Sequence, residues 1–227
     1  MVLGLKEKEK VRAILNKVVS TDIANEILKN EVFLGGEEKE ITVVFADIRN
    51  FTALTEEMSP SEVVQILNTC MTKVSMVIDK HHGVIDKYIG DGVMALFGAP
   101  IQRQNTRLDA VLCAVEIMHV LDLWNQEREK SQQSRIEMGV GIHYGKALVG
   151  NMGAENRLNY TALGAQVNLA SRICSKAKPN EILISKQVYE DLSVRDSVEV
   201  CSIEPLDLKG FSHKIEAFSV LRCKTNQ

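Results

Sequence analysis

Apolar residues along this chain fall into short runs and helical repeats that alternate from one end to the other. Residues 41–45 form an apolar run that is typical of a buried strand, although its length alone also fits a piece of helix. Residues 59–62 (Ser-Pro-Ser-Glu) combine a serine cap, a proline at the first helical position and a glutamate that completes a capping box. They predict a helix with apolar side chains at helical spacing that ends at Gly83.

The next two apolar runs predict a β-hairpin. Residues 84–89 and 93–97 read as paired strands, and Gly90-Asp91-Gly92 joins them. Glycines on both sides of an aspartate permit a tight turn, so Asp91 is expected at the tip of the hairpin.

The remaining pattern alternates helices and strands without a regular period. Predicted helices cover residues 106–126, 165–175 and 186–192, and predicted strands cover 135–143 (ending near Gly145), 147–150, 160–163, 182–184 and 214–221. This order favours a mixed α/β sandwich, with a sheet on one side and helices on the other, over a repeat protein or a helix bundle.

Residues 5–30 are charged and carry apolar side chains at helical spacing, which predicts a helix. Two interpretations stay open: the helix packs on its own domain, or it connects this domain to a regulator upstream. The division adopted is a helical linker or signal-transmitting segment over 1–38, a catalytic domain over 39–222 and a tail over 223–227.

Composition and charge narrow the class of protein. The 227 residues are 45% hydrophobic and 25% charged, which is enough for a full core and favours a single domain. A formal net charge of −3 gives no basic field for nucleic acid. The longest apolar stretch, 111–124, contains charged residues and is too short for a membrane span, and residues 1–10 lack the apolar core of a signal peptide. Five cysteines without a CxxC pair indicate reduced, mostly buried thiols and a cytoplasmic protein, or the cytoplasmic domain of a larger one.

Two carboxylates are the first sign of chemistry. Asp47 and Asp91 each lie beside a run of apolar strand-forming residues, where an ionised carboxylate is costly to bury unless a cation or several donors meet it. Alone, Asp47 also fits a helix cap and Asp91 an ordinary turn. Together they point to a divalent metal that binds a phosphate-bearing substrate.

Four segments in order then resemble the catalytic domain of class III nucleotidyl cyclases, from about residue 38 to 221. They are residues 45–52 (FADIRNFT), 86–92 (DKYIGDG), 160–164 (YTALG) with 167–172 (VNLASR), and 208–210 (LKG). The resemblance implies an α+β, ferredoxin-like fold with a mixed, mostly antiparallel sheet and helices packed on it.

The resemblance also implies roles for particular residues. Two Mg²⁺ or Mn²⁺ ions would bind at Asp47, Ile48 and Asp91, and the backbone amides of the loop from Ile48 to Thr52 would hold the substrate phosphates. The positions carried over in that loop for substrate binding are Ile48, Asn50, Phe51 and Thr52.

Lys87 and Thr161 would recognise adenine by donating to its N1 and by contacting its exocyclic amine. Cyclases that prefer GTP usually carry Glu and Cys at these two positions, so the pair points to ATP. A threonine at position 161 resembles the bacterial and soluble, bicarbonate-responsive branch of the family. Activation by bicarbonate is therefore a hypothesis.

Asn168 and Arg172, four residues apart on one helix face, match the pair that stabilises the transition state. Lys209 matches the lysine that binds the terminal phosphates. The alternative to each of these roles is a solvated side chain without a part in catalysis. It would be a strand-edge lysine for Lys87, a polar helix face for Asn168 and Arg172, and a surface lysine before a turn for Lys209.

The expected reaction is conversion of ATP to 3′,5′-cyclic AMP and pyrophosphate. Family members divide the metal-binding residues and the other site residues between two protomers, so a chain that carries both sets is expected to form a head-to-tail homodimer. A guanylyl cyclase and a catalytically inactive nucleotide-binding regulatory domain are the alternatives.

Overall fold

The computed structural model describes residues 9, 22–25, 34–154 and 156–224. Residues 22–25 are helical, and the rest of the predicted N-terminal helix lies outside the described residues. The strands are β1 (Gly35–Ile48), β2 (Val84–Ile89), β3 (Gly92–Phe97), β4 (Met138–Ala154), β5 (Arg157–Leu163), β6 (Ile182–Ser185), β7 (Val198–Ser202) and β8 (Ala217–Cys223). The helices that follow β1 are α1 (Phe51–Thr55), α2 (Pro60–Lys80), α3 (Thr106–Lys130), α4 (Ala165–Lys176), α5 (Lys186–Tyr189) and α6 (Leu192–Ser197).

All eight strands belong to one sheet. Its order is β2-β3-β1-β4-β6-β8-β7, and β5 pairs with the far end of β4. Only β4 and β6 run parallel among these pairs; the others are antiparallel. The predicted mixed, mostly antiparallel sheet is confirmed.

The period-two alternation of β1 builds two cores. Val44, Ala46 and Ile48 face α2 and α3 in the larger core, whereas Ile41 and Val43 face the opposite side. Helix α4 packs on that opposite side, so helices cover both faces of the sheet rather than one. This arrangement places α4 apart from the other long helices, next to the ends of β1 and β4.

The capping signal at Ser59 is confirmed. Its Oγ accepts from the Glu62 amide, and the Glu62 carboxylate accepts from the Ser59 amide at 2.8 Å. Helix α2 begins at Pro60 and is amphipathic, with Cys70, Val74 and Ile78 in the larger core.

Three expectations about elements were wrong. Residues 135–143 and 147–150 do not form separate strands, because β4 runs through Gly145 and pairs with β1 without a break from Met138 to Asn151. The predicted helix 186–192 is two helices, since Asp191 caps α6 by accepting from the Ser193 amide at 2.9 Å. Strand β7 was not predicted.

The positions of the cysteines agree in part with the predicted buried thiols. Cys70, Cys113 and Cys174 are buried and Cys201 and Cys223 are exposed, and all five are free thiols.

In the part of the chain that the structure describes, every helix is too short or too polar to cross a membrane.

Candidate active site

The two predicted metal-binding aspartates lie side by side at one end of the sheet. Asp47 is next to the last residue of β1 and pairs with Gly92, and Asp91 occupies the turn between β2 and β3. The Ile48 amide donates to the Asp91 carbonyl oxygen at 3.4 Å, which ties the two segments together. The hairpin predicted from the glycine-flanked aspartate therefore brings Asp91 to Asp47.

Electrostatics at this pair favour a bound cation. Partial burial raises the pKa of Asp47 above its ordinary value; the charge of Arg49 lowers it and the charge of Asp91 raises it further. Two carboxylates this close to each other repel, and a divalent ion with oxygen ligands removes that repulsion. The donor set therefore fits a divalent metal, although no cluster of three or more acidic, histidine or cysteine side chains occurs among the described residues.

Arg49 connects Asp47 to the end of helix α4. Its Nη2 lies 3.9 Å from Asp47 Oδ2 and donates to the Cys174 carbonyl oxygen at 2.9 Å. Arg49 lies against Gly139 of β4, where an added Cβ would stand 2.3 Å from the Arg49 Nε. That Nε is buried without a hydrogen-bond partner in the described part of the chain. A side chain at 139 would therefore displace the Arg49 guanidinium from this position beside α4.

A cleft of about 150 Å³ opens beside Asp47. Its walls are the end of β1, the β2–β3 hairpin and the α4 face that carries Ser171, Cys174 and Ser175. The cleft is large enough for small groups next to the Asp47 carboxylate.

The loop expected to hold phosphates follows Asp47. The Ile48 amide is bonded to Asp91, and the Arg49 amide donates to the Glu137 carbonyl at 2.7 Å. Asn50 adopts a left-handed conformation (φ 56°) and turns the chain into α1, which Phe51 and Thr52 begin. Amides in the first turn of a helix have no partner inside it, so those that remain for an anion are at the start of α1.

Lys87 and Thr161 meet within one chain. Lys87 lies on β2 and Thr161 on β5, seventy-four positions apart, and Lys87 Nζ donates to Thr161 Oγ1 at 2.8 Å. The Thr161 hydroxyl donates to Asp86 Oδ2 at 2.6 Å, and Lys87 Nζ lies 2.6 Å from Asp86 Oδ1. The predicted base-recognition residues are therefore one hydrogen-bonded cluster.

Asn168, Arg172 and Lys209 lie around helix α4. Asn168 and Arg172 are exposed on α4, and Lys209 is exposed in the segment after β7. Leu208, the neighbour of Lys209, packs in one cluster with Leu169 and Ile173 of α4. The side chains of Asn168, Arg172 and Lys209 themselves are exposed to solvent.

Across the described ranges, Asp47 is the one predicted site residue in the walls of its cleft. Asp91 does not line the cleft, and neither do Lys87, Thr161, Asn168, Arg172 and Lys209. Ser171, the neighbour of Arg172 on α4, does line it.

Sequence reasoning missed Asp86, Arg49 and Gly139. Asp86 belongs to the motif that identified Lys87, but the motif does not show its role, because that role depends on the irregular pairing of β2 with β3. The contact of Arg49 with Gly139 gave no signal, because the two residues are ninety positions apart in the chain.

Comparison with known proteins identifies the family. A sequence model of the adenylate and guanylate cyclase catalytic domain matches residues 36–222, and the chain belongs to this family. Members are class III nucleotidyl cyclases, which act on a nucleotide and use divalent metals.

Two solved structures show the likeness in detail. The adenylyl cyclase CyaB from P. aeruginosa is 33% identical, with a TM-score of 0.79 over 84% of this chain and 98% of that chain. The guanylyl cyclase Cya2 is 38% identical, with a TM-score of 0.75 over 82% of this chain and 94% of that chain. The expected cyclase fold is confirmed by both.

Curated relatives are longer than this chain. An uncharacterised protein of Mycobacterium tuberculosis (strain CDC 1551 / Oshkosh) is 33% identical over 93% of this chain and 37% of its own length. One from Mycobacterium bovis is 34% identical over 95% of this chain and 39% of its own length. The chain thus spans about two fifths of the relatives it matches.

Proposed function

We propose that this cyclase domain is an adenylyl cyclase, which converts ATP to 3′,5′-cyclic AMP and pyrophosphate. The observation that carries the proposal is the hydrogen-bond polarity of Lys87 and Thr161. The reaction class follows from the family, and the choice of ATP rests on this polarity.

The polarity follows from counting donors and acceptors. An ammonium group has three donors; Lys87 donates one to Thr161, and its Nζ lies 2.6 Å from Asp86 Oδ1 as an ion pair, so donor capacity remains for the substrate. The Thr161 hydroxyl gives its proton to Asp86 and accepts from Lys87, which leaves one lone pair. The pair thus offers donor capacity at Lys87 and an acceptor at Thr161. Adenine has the matching acceptor at N1 and donor at its exocyclic amine, whereas guanine has the reverse.

The remaining residues support the chemistry. Asp47 and Asp91, with Ile48, would hold two divalent ions, which would lower the pKa of the ribose 3′-hydroxyl and neutralise phosphate charge. The 3′-hydroxyl loses its proton to water, the 3′-oxygen forms a bond to the α-phosphorus, the bond from that phosphorus to the bridging oxygen breaks, and pyrophosphate leaves.

The basic and amide side chains act on the substrate itself. We assign Asn168 to the ribose and Arg172 to the charge that develops on the α-phosphate. Lys209, with the amides at Asn50, Phe51 and Thr52, binds the terminal phosphates. Asn168, Arg172 and Lys209 are exposed, and cyclase domains of this family typically dimerise. Both points support a head-to-tail homodimer in which each site takes its aspartates and the loop after Asp47 from one protomer, and its base-binding residues, Asn168, Arg172 and Lys209 from the partner.

A guanylyl cyclase is the second candidate, because Cya2, at 38% identity, is a guanylyl cyclase. Residues 1–38 are proposed to connect the domain to other parts of a longer protein, since the curated relatives are longer.

The first prediction concerns nucleotide preference. Purified chain with Mg²⁺ or Mn²⁺ should form cyclic AMP from ATP at a higher kcat/KM than cyclic GMP from GTP. The double variant Lys87→Glu with Thr161→Cys should reverse this order, because it offers acceptors to the N1–H of guanine. Asp47→Ala should abolish both activities by removing a metal ligand.

Three outcomes would contradict these assignments. A wild-type preference for GTP would contradict the choice of ATP as substrate. Unchanged selectivity in the double variant would contradict the roles of Lys87 and Thr161 in base recognition. Full activity in Asp47→Ala would contradict the assignment of Asp47 as a metal ligand.

Adding bicarbonate to the same assay tests the hypothesis of bicarbonate activation, which comes from the resemblance at Thr161.

A further inference from the structure

Asp86 is a buried acidic residue with no assigned role. Its side chain is 0% exposed, although β2 lies at the edge of the sheet. Burying a carboxylate without strong partners is costly, so the partners of Asp86 indicate what it is for. They are the Thr161 hydroxyl, the Lys87 ammonium and the Ala162 amide, which donates to Oδ2 at 3.2 Å.

A β-bulge aims Asp86 at this cluster. The pairing of β2 with β3 shifts between Ile85 and Lys87, so Asp86 is an extra residue without a partner on β3. Successive side chains of a regular strand point to opposite faces, whereas a bulge turns a side chain from that alternation. Here the adjacent Asp86 and Lys87 reach the same Thr161 hydroxyl.

The carboxylate fixes the direction of the Thr161 hydrogen bond. An ionised carboxylate only accepts, so the hydroxyl proton must point at Asp86 and a lone pair must point away. The second carboxylate oxygen holds Lys87 beside that lone pair. A neutral amide at position 86 would remove the ion pair and permit the hydroxyl to turn and donate outward.

We propose that Asp86 is the positioning residue that sets nucleotide preference, by holding Thr161 as an acceptor and Lys87 as a donor toward the purine. This inference rests on the proposed function, because it concerns the base that the same cluster selects. Asp86 does not touch the substrate; it acts through Thr161 and Lys87.

The test is Asp86→Asn in the full chain, with kcat and KM measured for ATP and for GTP. We expect the KM for ATP to rise about tenfold with a smaller change in kcat, because the cost of one misdirected hydrogen bond falls on base binding. The ratio of kcat/KM for ATP over GTP should fall by at least the same factor. A merely structural role would lower both activities together and leave that ratio unchanged.

Asp191→Asn is the matched control. Asp191 also accepts from a hydroxyl and an amide, those of Ser193, and pairs with Arg107 at 3.3 Å, but it lies at the start of α6. Its replacement should lower the melting temperature and leave the ATP-over-GTP ratio as in the wild type. Should Asp86→Asn fail to fold, Asp86→Ser removes the charge with a smaller side chain and carries the same expectation.

The two proposals fail in different ways. Wild-type preference for GTP would overturn the proposed function. A wild type that prefers ATP, with a folded Asp86 variant of unchanged selectivity, would overturn the role of Asp86 alone.

Discussion

At the scale of single residues, His143 shows what burial does to a titratable group outside the candidate site. Its ring is buried on β4, with Nδ1 2.8 Å from Ser185 Oγ and Nε2 2.6 Å from Gln166 Oε1. Burial lowers the pKa of His143 below its ordinary value of 6.5, and the hydrogen bond to Gln166 partly opposes this. The folded protein therefore holds the neutral ring.

The second prediction follows from the sign of this shift. Above pH 6.5 the ring is neutral in the folded and unfolded chains, and its contribution to stability is fully present. As the pH falls below 6.5 the unfolded chain binds a proton that the folded chain resists, so the free energy of unfolding decreases. Urea midpoints between pH 8 and pH 5 should fall less steeply in His143→Gln than in the wild type.

His119 supplies the control, because it is exposed on α3. His119→Gln should keep the wild-type slope of urea midpoint against pH. Equal slopes in His143→Gln and the wild type would show that His143 does not drive the acid sensitivity.

Single residues also show how much of the candidate site could be predicted from the sequence. The positions of Asp47, Asp91, Lys87 and Thr161 could be predicted because their motifs are local and their neighbours in the sequence have a recognisable order. Asp86 could not, since its role depends on a bulge, and a bulge is a property of the pairing between two strands.

At the scale of elements, the contact of α4 with β4 decides where Asn168 and Arg172 lie. Gly141 of β4 faces the helix so closely that an added Cβ would stand 2.2 Å from the Cys174 amide nitrogen. Backbone cannot give way as a flexible side chain can. The third prediction is that Gly141→Ala lowers the free energy of unfolding by about 3 kcal/mol and also lowers kcat, because α4 must shift.

Gly145→Ala is the comparison within the same strand. The nearest atom to an added Cβ there is Cγ of the Gln166 side chain, at 3.0 Å, which can move. We expect a loss below about 1 kcal/mol in chemical denaturation and near-normal activity. Similar losses in the two variants would contradict the account of the α4 contact.

Elements with a local signal were predicted well. The capping box of α2 and the β2–β3 hairpin have all their determinants within a few residues. Strand β4 was divided wrongly, because Gly145 is a common strand end when seen alone. Its continuity comes from β1, which is about a hundred positions earlier in the chain and pairs with β4 on both sides of Gly145, from Met138 to Asn151.

At the scale of the whole molecule, the proposed head-to-tail homodimer leads to the fourth prediction. Asp47→Ala and Arg172→Ala should each be inactive as homodimers. Mixed in equal amounts and allowed to exchange subunits, they should recover about a quarter of wild-type activity, since half of the dimers are mixed and each holds one intact site.

The measurement is cyclic AMP formation by the mixture against each variant alone. Asp47→Ala mixed with Asp91→Ala is the control and should recover nothing, because both changes damage the same set. Absence of recovery in the first mixture, with exchange shown by differently tagged chains, would contradict shared sites. Fold and family could be predicted from one chain, whereas the proposed sharing of sites depends on how two copies pair, which the pattern of one sequence does not specify.

One contact has an evolutionary consequence. Arg49 occupies the space that a side chain at position 139 would need. The three atoms nearest to a Cβ added at Gly139 all belong to the Arg49 guanidinium. Substitution at either position alone would leave a clash or a gap beneath the strand that bears Asp47. Among descendants of this sequence, a side chain at position 139 is therefore expected together with a replacement at 49 or a moved Arg49 guanidinium.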